Sequence, residues 1–215
     1  MLNAASQQLL VDGPVGRLDV GLDIPTEAIR GIAILAHPHP LFGGTRENKV
    51  VQTLARALVS LGYVCWSPNF RGVGNSEGNY DEGVGESEDL LSLLDYAQAH
   101  SSVKHLSSSI PVVLAGFSFG SFVQARVCEH LLRNGFQVEK LILVGAAVSR
   151  FEMPLAPAGT LLIHGEVDDV VALNDVFRWA ERSNLPVTVI PGADHFFHRK
   201  LGLIKQIVHS SLLLP

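Results

Sequence analysis

The chain has 215 residues, of which 47% are hydrophobic, 17% charged and 7% aromatic, and its formal net charge is -5. This length suits one globular domain with a substantial core, so we expect residues 1–215 to form a single domain. A modest negative charge without a basic field argues against nucleic acid as a partner.

Cysteine usage and hydropathy bear on the compartment. Cys65 and Cys128 each fall inside an apolar segment, which predicts buried free thiols and a reducing environment rather than a disulfide. The start, Met1–Ser6, lacks a basic region followed by a long apolar one, so no secretory signal is expected. No apolar run approaches the roughly 20 residues that cross a bilayer. We therefore predict a cytoplasmic protein without a membrane span.

The first predicted element is a hairpin of two short strands, Leu9–Val11 and Leu18–Leu22, around the turn Asp12–Gly16. Strands and helices then alternate. The predicted strands are 31–36, 63–67, 111–115, 140–144, 160–163 and 187–190. The predicted helices are 49–61, 85–100, 118–133, 173–183 and 199–214.

Two of these helices carry specific expectations about burial. Glu86, Glu88 and Asp89 lie in the first turn of one helix, where its dipole favours negative charge, and they are expected to face solvent. The helix 118–133 is expected to bury Val123, Val127 and Leu131, and to expose Gln124, Glu129 and Arg133.

This alternation predicts the α/β class: a mostly parallel central sheet with an N-terminal antiparallel hairpin and helices on both faces. The apolar run 111–115 is typical of a strand buried on both faces of such a sheet. Ligands of these sheets bind at the carboxyl ends of the strands. Functional side chains are therefore expected in the loops that follow strands.

The segment Gly116-Phe-Ser-Phe-Gly120 follows one predicted strand and opens a helix. Small residues two positions before and two after Ser118 allow a tight turn that exposes the serine hydroxyl at the sheet edge. Such a turn is typical of a nucleophilic serine. A serine hydroxyl needs a base to take its proton, and histidine has a suitable pKa.

In a serine site of this kind, the acid and then the histidine follow the nucleophile along the chain, each just after a strand. The loop after 160–163 offers Asp168 and its neighbour Asp169 as the acid. The loop after 187–190 offers His195 as the base, whereas His198 falls near the start of the final helix. Asp168 and Asp169 could instead cap the helix that follows them.

Negative charge that develops on a substrate oxygen needs two backbone N–H groups. The residue after the serine, Phe119, supplies one. The loop His37-Pro-His-Pro-Leu-Phe-Gly-Gly44 should supply the other, and its prolines have no N–H. His39 is the first candidate by position and Leu41 the second. No third ligand accompanies the two histidines of this loop, so no metal is predicted.

Six segments together resemble the alpha/beta-hydrolase superfamily of serine hydrolases, and in particular its small, lidless, dienelactone-hydrolase-like bacterial members. These segments are 13–18, 37–44, 69–76, 116–120, 164–168 and 192–197. The resemblance implies Ser118 as nucleophile, Asp168 as acid and His195 as base. The chain departs from dienelactone hydrolases proper in having serine rather than cysteine as nucleophile. It also has His-Pro-His-Pro where His-Gly is commoner.

The resemblance implies an alpha/beta-hydrolase fold and a hydrolase of esters or thioesters that needs no cofactor and acts on a small acyl substrate. An amidase or peptidase of the same fold and a non-catalytic scaffold are the alternatives, and the oligomeric state is left open. The connection 145–159 is too short for a helical cap, which predicts an open pocket. Its candidate apolar walls are Phe42, Phe119, Phe151, Met153 and Phe196.

Overall fold

The computed structural model describes residues 4–106 and 110–213. Its strands are β1 (Ala4–Gly13), β2 (Gly16–Pro25), β3 (Gly31–Ala36), β4 (Tyr63–Pro68), β5 (Val112–Phe117), β6 (Lys140–Val144), β7 (Leu161–Gly165) and β8 (Val187–Ile190). Its α-helices are α1 (Lys49–Val59), α2 (Val84–Ala99), α3 (Phe119–Arg133), α4 (Leu173–Arg182) and α5 (Leu201–Leu213). None of these helices is long and apolar enough to span a bilayer.

All eight strands form one sheet in the order β1-β2-β4-β3-β5-β6-β7-β8. The pairings β1–β2 and β2–β4 are antiparallel, and the remaining pairings are parallel. Two apolar clusters hold the molecule together. Cys65 and Cys128 are buried free thiols. The predicted α/β fold with an antiparallel N-terminal pair is confirmed.

The hairpin strands are longer than the sequence predicted. They pair in continuous register from Ala4 opposite Pro25 to Gly13 opposite Gly16. Most side chains of β1 are exposed, so apolar periodicity marks only part of the strand. The ladder extends beyond the apolar residues because backbone N–H and C=O groups pair whatever side chains they carry.

The other elements begin and end within about two residues of their predicted bounds, as expected where helix ends fray. The predicted end of the last helix at Leu214 lies outside the described residues. So do the first three residues of the segment considered for a secretory signal.

Three predictions of exposed polar side chains are wrong. Glu86 and Asp89 are buried, although Glu88 of the same turn is exposed. The Glu86 carboxylate accepts hydrogen bonds from the backbone amides of Asp81 and Gly83. Burial is tolerated because such partners replace the lost water.

Asp89 is also buried, and it is paired with a cation. It accepts two hydrogen bonds, of 2.8 and 2.7 Å, from the buried guanidinium of Arg71 in the loop after β4. Gln124 is fully buried instead of exposed, and its Nε2 donates to the carbonyls of Ile34 and Ala115. Both side chains thus tie a helix to a loop or strand that is remote in sequence.

The strand order positions the site. After β3 the chain forms β4, which pairs with one edge of β3. The chain then returns across the sheet, so that β5 pairs with the opposite edge of β3. The crevice beyond the carboxyl ends of β3 and β5 is therefore the point at which the winding direction reverses, where such sheets bind ligands. Residues 145–160, between β6 and β7, contain no helix, so no helical cap is inserted there.

Candidate active site

Ser118 lies between β5 and α3 with φ 54° and ψ -120°. A non-glycine residue rarely adopts this conformation, and it persists only where packing enforces it. A Cβ at Gly116 would lie 2.3 Å from the Gly120 carbonyl oxygen, and one at Gly120 would lie 2.3 Å from that of Ala36. Both glycines are therefore required for α3 to start this close to β5 and β3.

His195 and Asp168 meet Ser118 at this edge of the sheet. His195 follows β8, and its Nε2 lies 3.0 Å from the Ser118 Oγ. Its Nδ1 lies 2.8 Å from Oδ2 of Asp168, in the loop after β7. The three side chains thus form one hydrogen-bonded chain, with the imidazole N–H donating to the carboxylate and Nε2 free to accept from the hydroxyl.

Asp168 is held firmly, whereas its neighbour Asp169 is exposed. Its Oδ1 accepts from the backbone amides of Val170 and Val171 at 2.9 and 2.8 Å. Burial on its own raises the pKa of Asp168, but the hydrogen bonds from His195 and these amides outweigh burial and lower it. Asp168 is therefore ionised when it faces the imidazole.

A second buried histidine supports the same loop. His164, in β7, has its Nε2 2.9 Å from the Val171 carbonyl oxygen and 3.4 Å from Oδ2 of Asp168. Burial lowers the pKa of His164. The neutral imidazole therefore donates Nε2–H towards both oxygens and helps to fix the turn that presents Asp168.

Two backbone amides are candidates to bind an oxyanion. Phe119 is the first residue of α3, so its N–H has no acceptor one turn earlier within the helix. His39 belongs to the loop after β3, beside Ser118 in the same cavity. Leu41, the second candidate, donates its N–H to Nδ1 of His39 at 3.3 Å and is largely exposed.

The orientation of the His39 amide is set by its neighbour. His37 is fully buried; its Nε2 accepts from the Phe70 amide at 2.9 Å, so its Nδ1–H donates to the Pro38 carbonyl oxygen at 2.6 Å. The C=O of Pro38 and the N–H of His39 belong to one trans peptide, in which they point in opposite directions. The N–H of His39 therefore points away from the imidazole ring of His37.

The cavity above Ser118 has a volume of about 350 Å³, which is sufficient for a small ligand. Phe42 and Phe196 are both exposed and line it, as predicted. Phe119, Phe151 and Met153 are not among its lining residues, so their prediction as walls is wrong. Phe119 is fully buried in the core cluster, and Phe151 and Met153 line a groove beside α4.

Several residues of the site were missed by the sequence reasoning. His37 and His164 lie at the carboxyl ends of β3 and β7, where position alone could have marked them. Arg150 follows β6 and lines the cavity. Within the described part of the chain, no group of three or more His, Cys, Asp or Glu residues is placed to hold a metal ion.

Comparison with known proteins identifies the family. Residues 30–158 match the family model described as "Serine aminopeptidase, S33". The chain belongs to this alpha/beta-hydrolase family. The matched region contains Ser118 and the His39 loop, but it ends before Asp168 and His195, so the family match does not cover the whole hydrogen-bonded chain.

Two solved structures of other alpha/beta hydrolases and one relative known by its sequence extend the likeness over nearly the whole chain. The lidless serine hydrolase XC6422 from Xanthomonas campestris is 35% identical, with a TM-score of 0.85 over 97% of this chain and 94% of that one. A serine hydrolase homologue from Coxiella burnetii is 38% identical, with a TM-score of 0.83 over 96% and 97%. The uncharacterized protein RP471 of Rickettsia prowazekii (strain Madrid E) is 30% identical over 96% of this chain and 88% of its own length.

Proposed function

We propose that this alpha/beta hydrolase cleaves carboxylic esters or thioesters through an acyl-enzyme on Ser118. The observation that carries the proposal is the chain of hydrogen bonds from Ser118 through His195 to Asp168 at an open cavity. The positions of Ser118, His195 and Asp168 and the distances between them suit the roles of nucleophile, base and orienting acid. A small acyl substrate, no cofactor and a cytoplasmic location stay predictions.

In the proposed first step, Ser118 Oγ attacks the carbonyl carbon while Nε2 of His195 takes its proton. Asp168 stabilises the imidazolium that forms. The tetrahedral oxyanion accepts hydrogen bonds from the amides of Phe119 and His39. When the intermediate collapses, His195 returns the proton to the departing alcohol or thiol. Water then attacks the acyl-enzyme by the same route and releases the acid.

The choice of His39 over Leu41 as the second amide rests on two contacts. The hydrogen bond from His37 to the Pro38 carbonyl orients the His39 N–H, whereas the Leu41 N–H is already engaged by the His39 imidazole. An oxyanion hole works because its donors point correctly before the reaction starts. An oriented amide that donates to no other described residue meets that requirement better than an engaged one.

The family description makes an aminopeptidase the second candidate. An aminopeptidase must hold the ammonium group of its substrate, for which a carboxylate beside the cavity is the natural partner. Among the described residues, no Asp or Glu lines the cavity, and Arg150 brings a positive charge to it. This charge pattern favours an ester or thioester over a peptide with a free amino end.

Labelling with a fluorophosphonate, followed by a substrate panel, tests the proposal. We expect stoichiometric labelling of the folded protein, complete loss of labelling in Ser118→Ala, and faster turnover of short-chain aryl esters or acyl thioesters than of aminoacyl anilides. Absence of labelling in a folded sample would support the non-catalytic scaffold. Preferential cleavage of the anilides would establish the aminopeptidase instead.

A further inference from the structure

The charge of the cavity is concentrated on one side chain. Its basic lining residues are His39, Arg150 and His195, and none of its described lining residues is an Asp or Glu. Arg150 is the member of this set that always carries a charge. His39 adds little positive charge to the cavity, because burial and the nearby Arg150 both lower the pKa of its imidazole. Arg150 therefore brings a positive charge to the cavity of a chain whose net charge is -5.

Arg150 is available to a ligand. Within residues 4–106 and 110–213, no carboxylate lies within ion-pair distance of its guanidinium. The guanidinium lies over the Phe42 ring, 5.9 Å from the ring centroid. This contact holds the guanidinium against the Phe42 ring but leaves its N–H donors available, because a ring face accepts no conventional hydrogen bond from the guanidinium edge.

We propose that Arg150 gives this site a preference for esters that carry a carboxylate, such as monoesters of short dicarboxylic acids. The preference rests on the hydrolytic function proposed above. Arginine forms paired hydrogen bonds with carboxylates. Ser118 and Arg150 border the same cavity of about 350 Å³. In the proposed complex, the ester carbonyl lies at Ser118 and the free carboxylate lies at Arg150, within this one cavity.

The same arrangement disfavours two other kinds of substrate. A cationic group in the cavity meets Arg150 without a compensating carboxylate among the described lining residues. A long neutral acyl chain covers the guanidinium and removes water from it without supplying an acceptor, which costs free energy. The cost of leaving the Arg150 guanidinium without an acceptor therefore contributes to specificity as much as its ion pair with a substrate carboxylate does.

The test compares monomethyl adipate with methyl hexanoate, which have the same chain length and differ in the terminal carboxylate. Acid release is followed in a pH-stat at fixed ionic strength. We expect Arg150→Gln to lower kcat/KM for monomethyl adipate about fivefold, the upper range for an ion pair exposed to solvent. The change should fall on KM, because the distant carboxylate is bound equally in the ground and transition states.

Three comparisons isolate the effect. Arg150→Gln should hydrolyse methyl hexanoate at least as fast as the wild type does, because the cost of covering the guanidinium is removed. Arg150→Lys should restore part of the preference for monomethyl adipate. Arg133→Gln makes the same change in net charge at an exposed position at the end of α3, outside the cavity, and should leave both esters unaffected. Equal effects of Arg150→Gln on the two esters, or no effect on either, would overturn the proposal.

A binding measurement separates this inference from the proposed reaction. Saturation-transfer NMR is recorded for monomethyl adipate with Ser118→Ala and with the double variant Ser118→Ala/Arg150→Gln. Binding that weakens in the double variant supports Arg150 even if the wild-type protein hydrolyses neither ester, in which case the proposed function fails alone. Equal binding to both variants, or binding to neither, rejects the role of Arg150.

Discussion

At the scale of single residues, the site depends on which of two adjacent carboxylates faces the imidazole. Asp168 is buried and accepts hydrogen bonds from His195, Val170 and Val171, whereas Asp169 is exposed. Consecutive residues in a loop point in different directions, so one position in sequence separates an ordered acceptor from a solvated one. The imidazole tautomer follows from this contact, because ionised Asp168 requires a proton on Nδ1 of His195.

Replacing Asp168 tests that assignment. Asp168→Asn removes the charge that stabilises the imidazolium and favours the wrong tautomer, so we expect kcat to fall by about 10⁴-fold with the fold retained. Asp169→Asn makes the same change at the exposed neighbour and should leave kcat within about twofold, as expected for a surface substitution far from the reacting atoms. Turnover of an aryl ester measures both. If Asp169→Asn lost activity while Asp168→Asn kept it, the assignment of Asp168 as the acid would be wrong.

At the scale of elements, the strand–turn–helix unit β5–α3 places Ser118. Its glycines allow the start of α3 to lie against the ends of β3 and β5, where any side chain would meet backbone. Backbone oxygens of a central sheet cannot move aside as the end of a flexible side chain can. The unusual φ of Ser118 is therefore maintained by packing on both sides of the turn.

Gly120→Ala tests this packing. The added Cβ would lie 2.3 Å from the Ala36 carbonyl oxygen and 2.6 Å from that of His37. We expect unfolding free energy to fall by about 1–3 kcal/mol, typical of overpacking, and fluorophosphonate labelling to slow as Ser118 shifts. Chemical denaturation and labelling rates provide the measurements.

Gly202→Ala is the matched control. Gly202 lies in α5, is exposed, and has nothing within 4 Å of an added Cβ. Alanine there should stabilise the protein by about 0.5–1 kcal/mol, because it favours helix and restricts the unfolded chain. If Gly120→Ala behaves like this control, the close approach of α3 to β3 does not constrain the turn.

At the scale of the whole molecule, buried histidines couple stability to pH. Burial lowers the pKa of His37 from 6.5 to about 4, and it also lowers the pKa of His164. In the unfolded chain both groups regain ordinary values. As the pH falls below about 6.5, the unfolded state therefore binds protons before the native state does, and stability is lost until the pH reaches the folded-state pKa.

The predicted consequence is a loss of about 2 kcal/mol of unfolding free energy between pH 7.5 and pH 5 from His37 alone. Urea titrations at the two pH values measure it. His37→Gln should lower stability at pH 7.5 but reduce the pH dependence by about that amount. Gly202→Ala, which changes no titratable group, should retain the wild-type dependence. Identical pH dependence in the two variants would contradict the coupling.

Much of the architecture could be read from local patterns. Apolar periodicity and turn residues identified every strand and α-helix of the described residues, because these signals act within a few residues. Their order then placed Ser118, His195 and the Asp168 loop at one edge of a parallel sheet, since such strands end together. The lengths of the hairpin strands were underestimated, because a backbone ladder needs no apolar side chain.

Outside the loops of Ser118, Asp168 and His195, the tertiary structure decided which partner each polar side chain meets. Helical position suggested that Asp89 and Gln124 were solvated, yet Arg71 reaches one and the carbonyls of β3 and β5 reach the other. The free guanidinium of Arg150 in the cavity of Ser118 is likewise a result of folding. Amphipathic patterns report the average polarity of a face, whereas a buried charge depends on a partner many residues away along the chain. Local sequence therefore determined the elements and the edge that bears the site, and long-range packing determined which groups face one another across it.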